Sequence, residues 1–457
     1  MNRKLVVVVL ALGSLAGVYF SAVWLFESLL MPPAVSARAD PEHLRLGEAF
    51  LDDLDAGRYE EALARTTPQV REALAEGKLQ KIWEALAAQL GARKSRSPLR
   101  GELVGGTPVV TSTLIFGPAA LDARIAVDSD GKISGFRLVP AKQSVPAPAP
   151  TPVANERFVE TPFAVGEGAS ALEGTLTLPR GSGPFPAVVM VHGSGPHDRD
   201  ETVGPNHPFR DLAHALAERG VASLRYEKRT RAHPEAFASG DFTVDEETVD
   251  DAARAVSQLR AHAGIDPQRV FLLGHSLGAM MAPRIAERAP DLAGLILLAA
   301  PARPLQDIVV EQVRYLADLD GKLDEDEREQ IEQFAAQAAA VATLAGSEPA
   351  ADTLLGLPAR YWIDLRGYDP VATARALPQP ILVVQGGRDY QVTVDGDFAR
   401  WHEAFDGIAR VQFAFYPALN HLMIAGAGAP EPAEYAVAGQ VDTGVVEDIT
   451  AFVGTAP

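Results

Sequence analysis

The stretch that decides the fold runs from residue 270 to residue 278 and reads Val270-Phe271-Leu272-Leu273-Gly274-His275-Ser276-Leu277-Gly278. Four apolar residues predict a strand, and helix-like sequence follows from Ala279 to Arg288. Between them, the pattern G-x-S-x-G predicts a sharp strand-to-helix turn, in which Ser276 takes a strained backbone conformation and only glycine fits at its flanks. We call residues 274–278 the nucleophile elbow. The helix that follows directs its N-terminus at any developing negative charge, which makes Ser276 the candidate nucleophile.

A serine hydroxyl needs a base to remove its proton, and the base needs an orienting acid. The run Ile381-Leu382-Val383-Val384 predicts a strand that leads into Asp389, and the run 411–415 predicts a strand that leads into His421. The resulting order Ser276, Asp389, His421 is the one expected when all three follow strands of one parallel sheet. We therefore expect His421 to be the base and Asp389 the acid.

Both supporting roles have rivals in the sequence. Asp395 and Asp397 follow shortly after Asp389, and His402 is a second histidine in this part of the chain. The segment 398–405 has helical spacing, which favours a surface position for His402.

Two backbone N–H groups should bind the oxyanion of the reaction. One is expected from Leu277, directly after the nucleophile. The other is expected from the loop His192-Gly193-Ser194-Gly195, which follows the apolar run 188–191, and Ser194 is the candidate donor. Glycines in this loop allow its backbone to approach a substrate oxygen.

The same loop continues with histidines and acids through His197, Asp198, Arg199 and Asp200. Such density allows a metal site as an alternative. We favour a structural interpretation, in which Arg199 pairs with neighbouring acids and fixes the loop, and we expect no metal.

From about residue 157 onward, short apolar runs alternate with amphipathic helical segments, a pattern that predicts a doubly wound, mostly parallel α/β sheet. Segments 158–163 and 171–178 predict an antiparallel hairpin at its start. Residues 303–372 interrupt the alternation with acidic, alanine-rich helical sequence. We expect this insert to form a cap over the carboxyl ends of the strands, where Tyr361 and Trp362 either line an acyl pocket or form the core of the cap.

A second domain is expected ahead of the sheet. Residues 40–141 begin with two segments of helical spacing, one at Leu44, Phe50 and Leu54 and one at Ile82, Leu86 and Leu90. The pattern then changes to alternation at Leu121, Ala123, Ile125 and Val127, which predicts a strand. A turn is expected after it, at Asp130-Gly131. This predicts a small α+β domain. Alternating proline and alanine across residues 142–156 predict a stiff linker between the two domains.

Composition excludes several function classes. Acidic residues outnumber basic ones by 60 to 41, for a net charge of −19, and this argues against nucleic acid as a partner. The chain has no cysteine, which excludes disulfides, thiolate metal sites and a cysteine nucleophile.

The N-terminus predicts export. Arg3 and Lys4 precede an apolar run from Leu5 to Phe26, which places the N-terminus in the cytoplasm and the remainder outside. Residues 1–39 are either a retained membrane anchor, since the run is long enough to span a bilayer, or a signal peptide cleaved after Ala37-Arg38-Ala39.

Four separated motifs resemble those of a known family and occur in the same order. They are residues 192–201, the nucleophile elbow, Gly386-Gly387-Arg388-Asp389-Tyr390-Gln391-Val392, and Asn420-His421. Together they resemble the α/β-hydrolase superfamily over residues 157–457, and more narrowly bacterial serine carboxylesterases related to dienelactone-hydrolase-like and acyl-thioesterase-like enzymes. The resemblance implies hydrolysis of a small-molecule ester through an acyl-serine intermediate without a cofactor. Residues 40–141 resemble the small NTF2-like (DUF3887-type) domains that precede hydrolase domains in exported bacterial proteins.

The chain departs from these relatives at two points. Dienelactone hydrolases use a cysteine, which is missing here. Relatives often carry the turn Arg-Tyr-Asp-Lys-Arg-Gly after the second central strand, whereas this chain has Arg225-Tyr226-Glu227-Lys228-Arg229 followed by Thr230.

Three other functions stay open at this point. A serine peptidase or a thioesterase could use the same fold and the same residues. A binding protein on an inactive hydrolase fold is the alternative outside catalysis, although neither the elbow nor a member of the catalytic set is missing.

Overall fold

The computed structural model describes residues 41–74, 77–80, 83, 93–104, 107–116, 119–140, 155–237, 239–346 and 353–455. The predicted N-terminal segment 1–39, the helix expected around Leu86 and Leu90, and all but the last two residues of the predicted linker 142–156 lie outside these residues. No helix within the described ranges is long and apolar enough to cross a membrane. The chain divides into two compact units, and the boundary in the sequence falls between Ala149 and Pro150.

The first unit packs short helices against an antiparallel sheet. Its described elements are α1 (Pro41–Asp55), α2 (Tyr59–Ala64), α3 (Pro68–Ala73), β1 (Arg93–Arg96), β2 (Arg100–Val104), β3 (Thr107–Phe116), β4 (Ala119–Val127) and β5 (Ile133–Pro140). In the described part of the chain the strand order is β1-β3-β4-β5, and β2 also pairs with β3. The unit is therefore α+β, as the sequence predicts.

The apolar spacing explains this unit's core. Phe50 and Leu54 of α1 are fully or almost fully buried, and so are the alternating residues Ala123, Ile125 and Val127 of β4. A helix buries one stripe and a strand buries every second residue. Phe50, Leu54, Ala123 and Ile125 therefore meet in a single hydrophobic core.

The second unit is built on a mixed, mostly parallel sheet. Its described strands are β6 (Phe158–Val165), β7 (Leu172–Pro179), β8 (Phe185–Val191), β9 (Ala222–Tyr226), β10 (Ile265–His275), β11 (Gly294–Leu298), β14 (Ile381–Gly386) and β15 (Val411–Tyr416). Their order is β15-β14-β11-β10-β8-β9-β7-β6 over the described residues. The central pairs are parallel, whereas β6 and β7 form the predicted antiparallel hairpin.

Helices alternate with these strands along the chain. The described ones outside the insert are α4 (Pro208–Ala217), α5 (Arg229–Ala232), α6 (Asp250–Arg260), α7 (Leu277–Arg288), α11 (Pro370–Ala376), α12 (Ala399–Ala404) and α13 (Thr443–Thr455). Every residue of β11 is buried, as expected for a central strand with both faces covered. The predicted doubly wound fold is confirmed.

The insert forms in the connection between β11 and β14, where the acidic and alanine-rich sequence predicts it. It contains α8 (Leu305–Ala317), α9 (Glu325–Val341), the two-residue strands β12 (Thr353–Leu354) and β13 (Leu357–Pro358), and α10 (Ala359–Arg366). Asp324 and Glu327 form a capping box that starts α9, which explains part of the acidic sequence. Gln312 of α8 donates to the carbonyl of Gln391 at 2.8 Å, so α8 lies at the carboxyl end of β14.

Candidate active site

The nucleophile elbow has the strained backbone that its sequence predicts. Ser276 lies between β10 and α7 with φ 53° and ψ −118°, a region that side-chain-bearing residues rarely adopt. A Cβ at Gly274 would lie 2.3 Å from the carbonyl carbon of Gly278, and a Cβ at Gly278 would lie 2.2 Å from the carbonyl oxygen of Val191. Both positions therefore require glycine.

The elbow also exposes its serine. Gly274 and His275 before Ser276 are buried, and so is Leu277 after it, whereas Ser276 is partly exposed. The turn thus lifts one side chain out of an otherwise buried strand-to-helix connection and leaves it accessible to a substrate.

Asp389 and His421 meet in the structure. Oδ2 of Asp389 accepts from Nδ1 of His421 at 2.8 Å, and both residues are buried. Oδ1 of Asp389 accepts from the backbone N–H groups of Gln391 and Val392 at 2.8 and 2.9 Å. These bonds fix the carboxylate, which in turn fixes the ring of His421 with Nε2 available as a base.

The rival residues lie elsewhere in the unit. Asp397 is fully buried and pairs with Arg303 at 2.7 Å, and Asp395 and His402 are exposed. Of the acids considered in the sequence, only Asp389 contacts His421 in the described structure.

The loop that carries Ser194 lies against the nucleophile. A Cβ at Gly193 would be 3.1 Å from Cβ of Ser276, so the loop backbone approaches the serine closely. The N–H groups of Ser194 and Leu277 donate to no residue that the structure describes, as expected for Leu277 because it is the first residue of α7. Both predicted donors are therefore available for an oxyanion.

His275 connects the elbow to the base, a contact that the sequence does not reveal. Its ring centroid lies 4.6 Å from that of His421, and its Nε2 donates to the carbonyl oxygen of His421 at 2.9 Å. The other ring nitrogen, Nδ1, lies 3.1 Å from Oε2 of Glu201. Nε2 carries a proton because it donates to a carbonyl. In a neutral ring, Nδ1 would then present a lone pair to the Glu201 carboxylate, so a second proton, shared between Nδ1 and Glu201, is needed.

Electrostatics favour a charged pair at this contact. Although burial opposes it, the nearby Glu201 carboxylate raises the pKa of His275. Burial likewise opposes the charge of Glu201, but His275 and its neighbours lower the pKa of Glu201 to about 2. Oε1 of Glu201 also accepts from the N–H of Gly193 at 2.7 Å, so the pair links the oxyanion loop to the loop of the base.

The histidines of the oxyanion loop are held by hydrogen bonds. Nε2 of His192 bonds to the carbonyl of Asp198 at 2.9 Å, and Nε2 of His197 bonds to that of Ser194 at 2.6 Å. Arg199 pairs with Glu227 at 2.8 Å and with Glu173 at 3.0 Å, acids that are distant in sequence but close in the fold. Among described residues, no group of three or more histidines and acids could hold a metal ion.

Tyr361 and Trp362 of the insert are fully or almost fully buried. The hydroxyl of Tyr361 donates to Oε2 of Glu247 at 2.6 Å, and Nε1 of Trp362 donates to the carbonyl of Leu354 at 2.6 Å. Their polar atoms are thus bound within the protein, which favours the interpretation of these two residues as core.

Comparison with protein families agrees with this geometry. Residues 188–438, more than half of the chain, match a family described as alpha/beta hydrolase. The chain belongs to the alpha/beta hydrolase family. It is therefore an enzyme of the hydrolase class. Residues 47–136 of the first unit match a family described only as a protein of unknown function, DUF3887.

A relative in sequence is consistent with this membership. The chain is 37% identical over 401 residues to Esterase EstD of Thermotoga maritima, covering 88% of this chain and 92% of the relative. Among solved structures, Est1E from Butyrivibrio proteoclasticus is 14% identical with a TM-score of 0.39, covering 64% of this chain and 95% of that one. A puromycin-hydrolyzing peptidase of Mycobacterium tuberculosis is 18% identical with a TM-score of 0.41, covering 77% and 46%. At these scores, the solved structures add nothing on activity.

Proposed function

We propose that this member of the alpha/beta hydrolase family is a carboxylesterase that works through an acyl-Ser276 intermediate. The observation that carries the proposal is the 2.8 Å bond between Asp389 and His421 beside an elbow that exposes Ser276. The 37% identity to a relative named as an esterase, over nearly the full length of both chains, supports an ester as the substrate.

The mechanism follows from these positions. Oγ of Ser276 attacks the acyl carbon while Nε2 of His421 accepts its proton, and Asp389 stabilises the imidazolium that forms. The N–H groups of Ser194 and Leu277 bind the oxyanion of the tetrahedral intermediate. His421 then protonates the departing alcohol oxygen, and a water molecule repeats the sequence to release the acid and restore Ser276.

Hydrolysis of p-nitrophenyl esters from acetate to palmitate tests this proposal, with Ser276→Ala as the control. We expect turnover by the wild type, background rates in the variant, and a mass increase of one acyl group on Ser276 after rapid quenching. The chain length with the highest kcat/KM then measures the size of the acyl pocket. Absence of turnover on every ester by folded protein would overturn the proposal.

Matched substrates separate the neighbouring activities. A p-nitroanilide and a coenzyme A thioester with the same acyl group as the best ester are assayed beside it. The proposal requires the highest kcat/KM on the oxygen ester. Preference for the anilide would assign a peptidase, and preference for the thioester would assign a thioesterase.

We also propose that the hydrolase unit acts outside the cytoplasm, either released or tethered through residues 5–26. The support is the charge of Arg3 and Lys4 ahead of the apolar run Leu5–Phe26. Alkaline phosphatase fused after residue 40 should be active if export occurs, and an inactive fusion would contradict it. N-terminal sequencing of the exported protein distinguishes cleavage after Ala39 from a retained anchor.

A further inference from the structure

The peptide between Gly193 and Ser194 is held from its carbonyl side by a buried cation. Nζ of Lys228 donates to the carbonyl oxygen of Gly193 at 2.7 Å. In a planar trans peptide the carbonyl and the N–H point in opposite directions. A contact that fixes the carbonyl of Gly193 therefore also fixes the direction of the N–H of Ser194.

Building on the proposed function, we propose that Lys228 is a positioning residue for the oxyanion donor at Ser194. Lys228 does not touch the substrate. It acts through the Gly193–Ser194 peptide, by orienting the N–H and by strengthening it as a donor, because a cation on the carbonyl oxygen polarises the whole amide group.

The ammonium of Lys228 is itself fixed. Lys228 is 2% exposed, and its Nζ lies 2.6 Å from Oε1 of Glu247, which is also buried. The other oxygen of Glu247 accepts from the hydroxyl of Tyr361 at 2.6 Å. A buried charge is stable only when it is paired and hydrogen-bonded, and here the pairing leaves Nζ directed at one backbone carbonyl.

The backbone around Lys228 supports the same loop independently. The N–H of Lys228 donates to the carbonyl of His197 at 3.1 Å, and the hydroxyl of Thr230, which replaces the glycine common in relatives, contacts the carbonyl of Gly195 at 3.5 Å. These contacts do not depend on the lysine ammonium. A substitution that removes only the ammonium should therefore keep the loop attached and change the Gly193–Ser194 peptide.

The neighbouring residue provides a matched control. Arg229 forms a two-point ion pair with Asp251, with contacts of 2.6 and 2.5 Å, one position along the same segment. It makes no described contact with the oxyanion loop. Arg229→Met thus removes a neighbouring, partly buried ion pair without touching the peptide that Lys228 holds.

The experiment compares wild type, Lys228→Met, Arg229→Met and Ser276→Ala on p-nitrophenyl butyrate. Loss of one oxyanion donor typically lowers kcat by about 100- to 1,000-fold, so we expect loss of its orienting group to lower kcat by about 10- to 100-fold. KM should stay within about twofold, because the interaction matters mainly in the transition state. Arg229→Met should keep the wild-type kcat even if its melting temperature falls.

Inhibitor binding separates positioning from general damage. An alkyl trifluoromethyl ketone adds to Oγ of Ser276, passes the serine proton to His421 and leaves an oxyanion on the former carbonyl oxygen. The methyl ketone of equal chain length binds without that charge. We expect Lys228→Met to weaken the trifluoromethyl ketone about as much as it lowers kcat/KM and to leave the methyl ketone unchanged.

The outcomes test the role of Lys228 separately from the proposed esterase activity. Unchanged kcat in Lys228→Met, or equal weakening of both ketones, would overturn the role of Lys228 and leave the esterase intact. No ester turnover by the wild type would overturn the proposed function itself. If Lys228→Met does not fold, Lys228→Gln, which keeps an N–H donor without the charge, must still weaken the trifluoromethyl ketone more than the methyl ketone, by a smaller factor.

Discussion

Asp389 can present only one of its oxygens to His421, because the other accepts two backbone N–H groups, those of Gln391 and Val392. In Asp389→Asn, the amide oxygen must take over those two bonds. Its NH₂ group then faces Nδ1 of His421 and donates to it. His421 is forced into the tautomer with its proton on Nε2, where it cannot accept the proton of Ser276.

We therefore expect Asp389→Asn to lower kcat by about 1,000- to 10,000-fold with little change in KM. Steady-state kinetics on the best p-nitrophenyl ester measures the effect. Asp395→Asn, at the exposed rival position, serves as the control and should match the wild type. Equal losses in the two variants would remove Asp389 from the mechanism.

His192 should make the hydrolase unit sensitive to acid. Burial lowers the pKa of His192 from 6.5 to about 3, so the folded protein holds it neutral while the unfolded chain takes up a proton below about pH 6.5. The neutral His192 side chain therefore costs the folded protein no free energy of unfolding above pH 6.5, the pKa of this histidine in the unfolded chain. Stability is lost as the pH falls toward 3, at about 1.4 kcal/mol for each pH unit.

The test is the change in unfolding free energy between pH 7 and pH 5, measured by urea denaturation. His192→Asn should lose about 2 kcal/mol less than the wild type over this interval. His402→Asn, at an exposed helical position, should show the wild-type loss. An identical pH dependence in all three proteins would count against a neutral, buried His192.

At the level of elements, the junction of β10 and α7 tolerates no added atoms. A Cβ at Gly278 would lie 2.2 Å from the carbonyl oxygen of Val191 in the neighbouring strand β8, which is backbone and cannot move aside alone. Gly278→Ala should lower the free energy of unfolding by about 3 kcal/mol, the upper end of the usual cost of overpacking, and abolish ester hydrolysis. Gly367→Ala, where an added Cβ meets nothing within 4 Å, should change neither quantity in thermal melts and activity assays.

The central strands could be predicted from sequence because each one is a continuous apolar run covered on both faces. Strands β8, β10 and β14 all lie where those runs predict them. The short strands β12 and β13 could not be predicted, because two residues carry no periodicity. Their pairing depends on a tertiary arrangement that only the folded insert provides.

At the level of the whole molecule, each unit has its own hydrophobic core. Scanning calorimetry should therefore resolve two transitions. Phe50 is a fully buried ring that packs edge-on against Phe136, with 5.0 Å between ring centroids. Phe50→Ala should lower the free energy of unfolding of the first unit alone, by about 3–5 kcal/mol, and so lower the temperature of only that transition. Phe271→Ala should lower only the other transition. A single transition shifted by both variants would contradict two separate cores.

Some residues of the candidate site could be predicted from the local sequence, and others could not. Ser276, Asp389 and His421 could be placed because each follows a recognisable strand, and parallel strands end at one edge of a sheet. Glu201 and Lys228 could not be assigned roles, although both lie in runs that resemble family motifs. Their partners, His275 and Glu247, are brought to them by packing across the sheet, and the charge patterns themselves look like ordinary surface sequence.

The insert has a consequence for how this enzyme can diversify. The whole of it lies in one connection, between the end of β11 and the start of the crossover helix α11, so no strand of the sheet depends on its length. Evolution, or an engineer exchanging loops as cassettes, can lengthen, shorten or replace it without shifting the register of any strand. Among the residues of the insert to retain are Tyr361, which through Glu247 reaches the lysine behind the oxyanion loop, and Gln312, which holds the loop that carries Asp389. New substrate ranges should therefore be accessible by recombination within residues 305–366, with the catalytic framework inherited unchanged.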